Sequence, residues 1–142
     1  MRVFKKLIIV IALISLVSSC HSEPFDVGYW EYINETNLSC FIRIYTDRGE
    51  KADFVNLQIP AGEMRSSYNI AYDGGSCVLY TWRFASIEFS DGARIDYTQR
   101  DGQIGNPLIE TNYDIQRIDG QFRLALTITN AIYEAAIKQK ML

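Results

Sequence analysis

The sequence has a single histidine, His21, and it lies ahead of every stretch with strand-like patterning. No Ser-His or Cys-His nucleophile pair can therefore be built in the body of the chain. The only other metal-binding thiols and imidazoles are Cys20, Cys40 and Cys77. Two cysteines in the body without a histidine make a poor zinc shell. Lys and Arg form no block of the kind that tracks a phosphate backbone, which argues against nucleic acid as a partner. There is no phosphate-cradling glycine loop, no internal repeat and no low-complexity tract. The longest apolar run, Leu7 to Val17, is broken only by Ser15. At about 11 residues it falls well short of the roughly 20 that a membrane-spanning helix needs.

That short run is informative for what flanks it. Arg2, Lys5 and Lys6 precede it, and the small residues Ser18 and Ser19 lead from it into Cys20. Charge, short apolar stretch and small residues in that order make a secretory signal peptide. The stretch Val17-Ser18-Ser19-Cys20 resembles the lipobox of bacterial lipoproteins. The resemblance implies cleavage before Cys20 and lipid on its thiol and new amino group. Each buried lipid CH₂ contributes about 0.8 kcal/mol, so several acyl chains hold a protein on a membrane durably. His21, rather than Asp, follows the cysteine, and in the sorting rule of that family this points to the outer membrane.

The expected organisation is a leader over 1–19, a lipidated tether over 20–26 and one domain over 27–142. Loss of Arg2, Lys5 and Lys6 with the leader lowers the basic count from 14 to 11 against 17 acids, and the formal charge from −3 to −6. About 123 mature residues suffice for one core and are too few for two. Cys40 and Cys77 form a candidate disulfide, since an exported chain folds where such bonds persist. Closing that loop of about 38 residues could stabilise the fold by roughly 3–4 kcal/mol. Two buried thiols that never meet is the competing reading.

Period-two alternation dominates from Val27 onward. Cys40, Ile42 and Ile44 share one face, with Arg43 on the other; Val55, Leu57 and Ile59 oppose Asn56 and Gln58. Two Asp-Gly turns define hairpins. A three-residue loop, Ser90-Asp91-Gly92, pairs Ile87 with Ile95 and Glu88 with Arg94, whereas a two-residue loop would mix the faces. For Asp119-Gly120 the two-residue type I′ turn wins, pairing Ile115 with Leu124 and Tyr113 with Leu126. After Ile128 the period changes. Thr129 is an N-cap for a helix at about 130–140 whose stripe, Ile132, Tyr133, Ala136 and Ile137, would cover the open end of a sandwich. Short strands with frequent turns predict a mainly β chain: a two-layer antiparallel β-sandwich, immunoglobulin- or transthyretin-like, with a short C-terminal helix.

Few residues point to chemistry. Glu88, Asp96 and Asp101 are the carboxylates available for acid–base work, but alternation turns Glu88 and Asp96 outward. Asp101 to Asn106 has a calcium-loop composition without the spacing of an EF-hand. Asn34-Glu35-Thr36 and Asn37-Leu38-Ser39 match glycosylation acceptors, a reading that a bacterial lipobox makes inapplicable. The aromatic clusters around Tyr29, Trp30 and Tyr32, and around Tyr80, Trp82 and Phe84, are either core or a contact face. Tyr29, Trp30 and Trp82 are the candidate binding aromatics. The leader, "INETNLSCFIRIYT", "IEFSDGARIDY" and "LTITNAIYEAAI" together resemble small β-sandwich lipoproteins of Gram-negative gut anaerobes, a likeness that carries over fold and compartment but no functional residue. The expectation is a non-enzymatic, cofactor-free module of the outer membrane, facing either the periplasm or the exterior, that binds a glycan or an envelope protein. A structural envelope lipoprotein and an inhibitor of a secreted enzyme are the alternatives.

Overall fold

A computed structural model describes residues 26–45, 53–72 and 82–141. The leader, Cys20, His21, Cys77 and Tyr80 lie outside them. Eight strands follow in chain order: β1 (Asp26–Asn34), β2 (Cys40–Tyr45), β3 (Asp53–Ile59), β4 (Met64–Tyr72), β5 (Phe84–Phe89), β6 (Arg94–Thr98), β7 (Asp114–Ile118) and β8 (Gln121–Ile128). One helix, α1 (Asn130–Lys140), closes the chain. The strands form two four-stranded sheets of order β4-β1-β8-β7 and β3-β2-β5-β6. Their inward residues pack into one core, so the chain is a two-layer β-sandwich.

Both Asp-Gly hairpins take the expected register. Ile87 pairs with Ile95 and Glu88 with Arg94, around a loop in which Gly92 has φ 81°. Ile115 pairs with Leu124, and Asp119 and Gly120 take φ 51° and 79°, the two left-handed residues of a type I′ turn. Strand β7 begins at Asp114, so Tyr113 precedes the ladder that was expected to include it. One pairing departs from the antiparallel expectation: β1 and β8 run parallel, with Trp30 beside Leu124 and Tyr32 beside Leu126. Alternation specifies which face a residue occupies, and it is the same for either direction of the neighbouring strand. Helix α1 also differs in placement. Ile132 and Ala136 are buried as expected, but Gln139 Oε1 accepts from the Asp96 backbone N–H, so the helix lies along the free edge of β6. That N–H has no strand to pair with, and covering an edge in this way blocks pairing with another chain. Gly105, at φ 70°, lets the helix approach: a Cβ there would overlap Ile132 Cδ1.

Two buried asparagines organise the loops. Asn34 Nδ2 donates to the carbonyls of Leu38, Ile59 and Pro60 at 2.8, 3.2 and 3.1 Å. Its Oδ1 accepts from Thr36 N and Oγ1 at 3.1 and 2.7 Å. One amide thus ties the end of β1, in one sheet, to the β1–β2 loop and to the end of β3 in the other. Asn106 Nδ2 donates to Thr98 O and Asp101 O, both at 2.8 Å, and its Oδ1 accepts from Leu108 N at 2.9 Å. The loop with calcium-like composition is therefore built around an amide turned inward, while the Asp101 carboxylate accepts from Thr98 N at 2.7 Å.

The centre of the core is aromatic. The rings of Trp30 and Trp82 lie 4.8 Å apart, and Tyr113 meets Trp30 edge-on at 5.1 Å. Truncating such residues removes their transfer energy and leaves a cavity, so Trp30→Ala and Trp82→Ala should each destabilise the fold by about 3–5 kcal/mol, read from equilibrium urea unfolding. Asn34→Ala, which strands three carbonyls, should lower stability by about 2 kcal/mol or more in the same measurement.

Candidate functional site

With Cys40, Ile42 and Ile44 committed to the core, the pleat turns Phe41, Arg43 and Tyr45 to the outside of the β3-β2-β5-β6 sheet. The pairing aligns the other strands with them. Phe41 sits between Gln58 and Glu88, Arg43 between Asn56 and Ser86, and Tyr45 beside Phe84. Tyr45 and Phe84 stack at a centroid distance of 5.6 Å with 23° between planes. The Arg43 guanidinium carbon lies 4.8 Å from the centroid of the Phe41 ring, within the range of a cation–π contact. Phe41, Tyr45 and Phe84 are all half-buried.

A shallow groove of about 360 Å³ opens on this face, lined by Ser39, Phe41, Arg43, Gln58, Glu88 and Ser90 among others. Its charges are unequally engaged. Arg94 donates from Nε and Nη2 to Asp96 Oδ1 at 2.9 and 2.7 Å, and its Nη1 lies 3.8 Å from Glu88 Oε2. The Asp96 hydrogen bond, foremost, raises the Arg94 pKa above its ordinary value. These groups are substantially exposed, so the cluster organises charge more than it stabilises the fold. Ion pairs among the described residues include Arg65 with Glu63, Arg94 with Glu88 and Asp96, and Arg123 with Glu31. Arg43 enters none of them.

On the outer face of the other sheet the described side chains include one close ion pair. Arg123 Nε donates to Glu31 Oε2 at 2.6 Å, and Arg123 Nη2 is also 2.6 Å from that oxygen. This bond raises the Arg123 pKa, and the Glu31 residue is only 7% exposed although it points away from the core. Tyr29 lies beside Arg123 in the β1–β8 ladder and is half-buried.

The site residues read from the sequence fare differently. Trp30 and Trp82, offered as binding aromatics, are both 0% exposed. That assignment is corrected: they fill the space between the sheets, where indole area is worth most. Tyr29 keeps its outward position. Glu88 and Asp96 face outward as expected and share Arg94, whereas Asp101 is engaged in its own turn. Among the described residues no group of three or more His, Cys, Asp and Glu side chains is arranged to hold a metal ion. Sequence reasoning missed Phe41 and Tyr45, and named Phe84 only as a member of the cluster around Trp82. The signal was present: each is an aromatic at the outward parity of a strand whose inward parity was already assigned.

Cys40 is an unbridged thiol, 2% exposed, in this structure; its candidate partner Cys77 lies outside the described residues. Burial pushes the Cys40 pKa up from 9.0 to about 12. The folded protein should therefore alkylate at Cys40 far more slowly than the urea-unfolded chain at pH 8, followed by mass spectrometry. Failure of the unfolded, non-reduced chain to label at Cys40 would instead reveal a bridge. The sign of the linkage follows: with the folded pKa raised, the thiol's contribution to stability is complete below about pH 9 and declines as pH rises toward about 12. Comparison with known protein families, curated proteins and solved structures gives no match to this chain, so its function must be argued from the geometry above.

Proposed function

We propose that the chain is a lipid-anchored envelope protein that acts by contact rather than by catalysis, through the outer face of the β3-β2-β5-β6 sheet. The anchor rests on the leader and on Val17-Ser18-Ser19-Cys20. The contact reading is carried by one observation: Phe41 and the Arg43 guanidinium line a groove, and the stacked Tyr45 and Phe84 rings lie on the same outward face, on a sheet whose inward face already supplies a core. A sheet needs no outward aromatics for its stability beyond a modest cross-strand gain, and apolar groups on a solvated face mark interaction sites. Against catalysis stands the absence of any histidine after His21.

The direction of β1 supports presentation away from a bilayer. A tether from Cys20 enters β1 at Asp26 and spans at most about 20 Å. Ser39 and Ser90, at the rim of the groove, are joined by a 2.9 Å backbone hydrogen bond at the opposite, Asn34 end of the sandwich. Nine strand residues put roughly 30 Å between the two ends.

A structural envelope protein is the second reading, favoured by the burial of Trp30 and Trp82. It expects the outward aromatics to be replaceable without loss of function. Two experiments separate the parts of the proposal. Cys20→Ala should yield an uncleaved precursor that takes up no labelled fatty acid; unchanged labelling would remove the anchor. Phe41→Ala with Tyr45→Ala in the full-length protein should abolish in-membrane cross-links made from this face while leaving the melting temperature within a few degrees. Unaltered cross-links would favour the structural reading.

A further inference from the structure

We propose that the groove on the β3-β2-β5-β6 sheet binds an acidic sugar residue, with Arg43 receiving its carboxylate. This rests on the contact reading above and specifies its ligand. The first argument is the state of Arg43. An exposed arginine ordinarily pairs with a nearby acid, but the carboxylates of Glu88 and Asp96, among the described side chains of this face, are both engaged by Arg94. Arg43 is held over the Phe41 ring instead, 4.8 Å from its centroid. Stacking on a ring restricts a guanidinium without consuming its N–H donors, and that planar fork matches a carboxylate bidentately. It is the one groove-lining charge among the described residues with no oppositely charged partner, so a single negative group is what the groove lacks.

The second argument concerns what surrounds that charge. Ser39, Gln58 and Ser90 offer hydroxyl and amide groups around the same groove. They both donate and accept, as the hydroxyls of a sugar ring require. The volume of about 360 Å³ is at the small end of the range for small-molecule sites, roughly 300–1,000 Å³.

The third argument excludes other carboxylates and other anions. Extended peptides gain affinity by adding a strand to a free edge. The groove instead lies across the face, and the backbone of β2 beneath it is paired on both sides, to β3 and to β5. Recognition there is by side chains alone, which suits a polyhydroxylated ring better than a peptide. A polyanion would meet, among the described residues that line the groove, one cation without an ion pair, on a chain of net charge −3, or −6 once the leader is lost.

The test uses the full-length protein in a sugar-free detergent. The probes are oligosaccharides that carry one uronate residue, the same compounds with that carboxyl methyl-esterified, and their neutral parents, titrated by calorimetry. At least one uronate compound should bind, with its ester and its neutral parent weaker by about tenfold or more. Arg43→Gln should lose about as much, and Arg43→Lys should fall between, because it keeps the charge and loses the fork. Added salt should weaken wild-type binding and leave the Arg43→Gln residue unaffected. Equal binding of acid and ester, or unchanged binding by Arg43→Gln with an unchanged melting temperature, would overturn the proposal. So would binding to no uronate compound. If in that last case the cross-links from this face still depend on Phe41 and Tyr45, the ligand class is wrong and the contact reading stands; if they do not, both fall.

Discussion

The contact between Trp30 and Trp82 is what the rest of the sandwich is arranged around. Trp30 belongs to β1 at the centre of one sheet, and Trp82 precedes β5 at the centre of the other. Their rings meet between the layers, and Tyr113 closes against Trp30 from the segment that enters β7. Tyr113 is fixed in turn by its hydroxyl, which donates to Pro107 O at 2.7 Å. The β6–β7 loop is therefore held by the same aromatic cluster that joins the sheets. Rings of this size bury more apolar area than any other side chain, so a small domain gains most by placing them where both layers can cover them.

Burying those rings shapes the outside of the molecule as well. Once Cys40, Ile42 and Ile44 complete the core below β2, the intervening Phe41, Arg43 and Tyr45 turn outward beside their cross-strand neighbours. They settle locally, Arg43 on Phe41 and Tyr45 on Phe84. The two faces resolve their charges differently. On the β4-β1-β8-β7 sheet, Glu31 and Arg123 form a close and largely desolvated pair that leaves neither partner free for a ligand. On the other sheet Arg94 engages Glu88 and Asp96, while Arg43 stays on Phe41 with no ion pair among the described residues. That asymmetry, rather than any catalytic constellation, distinguishes one surface from the other.

The two buried asparagines show how a sandwich with short strands keeps its loops in place. A primary amide has two donor hydrogens and an acceptor oxygen, so one side chain can satisfy several backbone groups that a turn leaves without a ladder partner. Asn34 does this where three chain segments converge, and Asn106 does it beneath the β6–β7 loop. Each supplies a covalently positioned partner to backbone carbonyls. The Asn34-Glu35-Thr36 triplet, which in another context would read as a modification site, is a hydrogen-bonding device in the interior, its Thr36 hydroxyl donating to Asn34 Oδ1.

Sequence alone determined the strands, the register of both Asp-Gly hairpins and the span of the C-terminal helix, because each is set by interactions within a few residues. The left-handed conformations of Gly92, Asp119 and Gly120 and the two-residue side-chain period leave one register in which apolar residues share a face. The same period placed Arg43 outside and Ile42 inside before any contact was known. What it could not contain is the identity of a strand's neighbour. The parallel pairing of β1 with β8 joins residues nearly a hundred positions apart, and alternation is blind to strand direction. Whether an aromatic serves the core or the surface was equally out of reach for Trp82, which lies just outside a strand and so carries no parity of its own. The groove itself needs three strands side by side and the choice of Arg94, over Arg43, as the partner of Glu88. Those choices depend on cross-strand distances, which exist only once the sheet has formed.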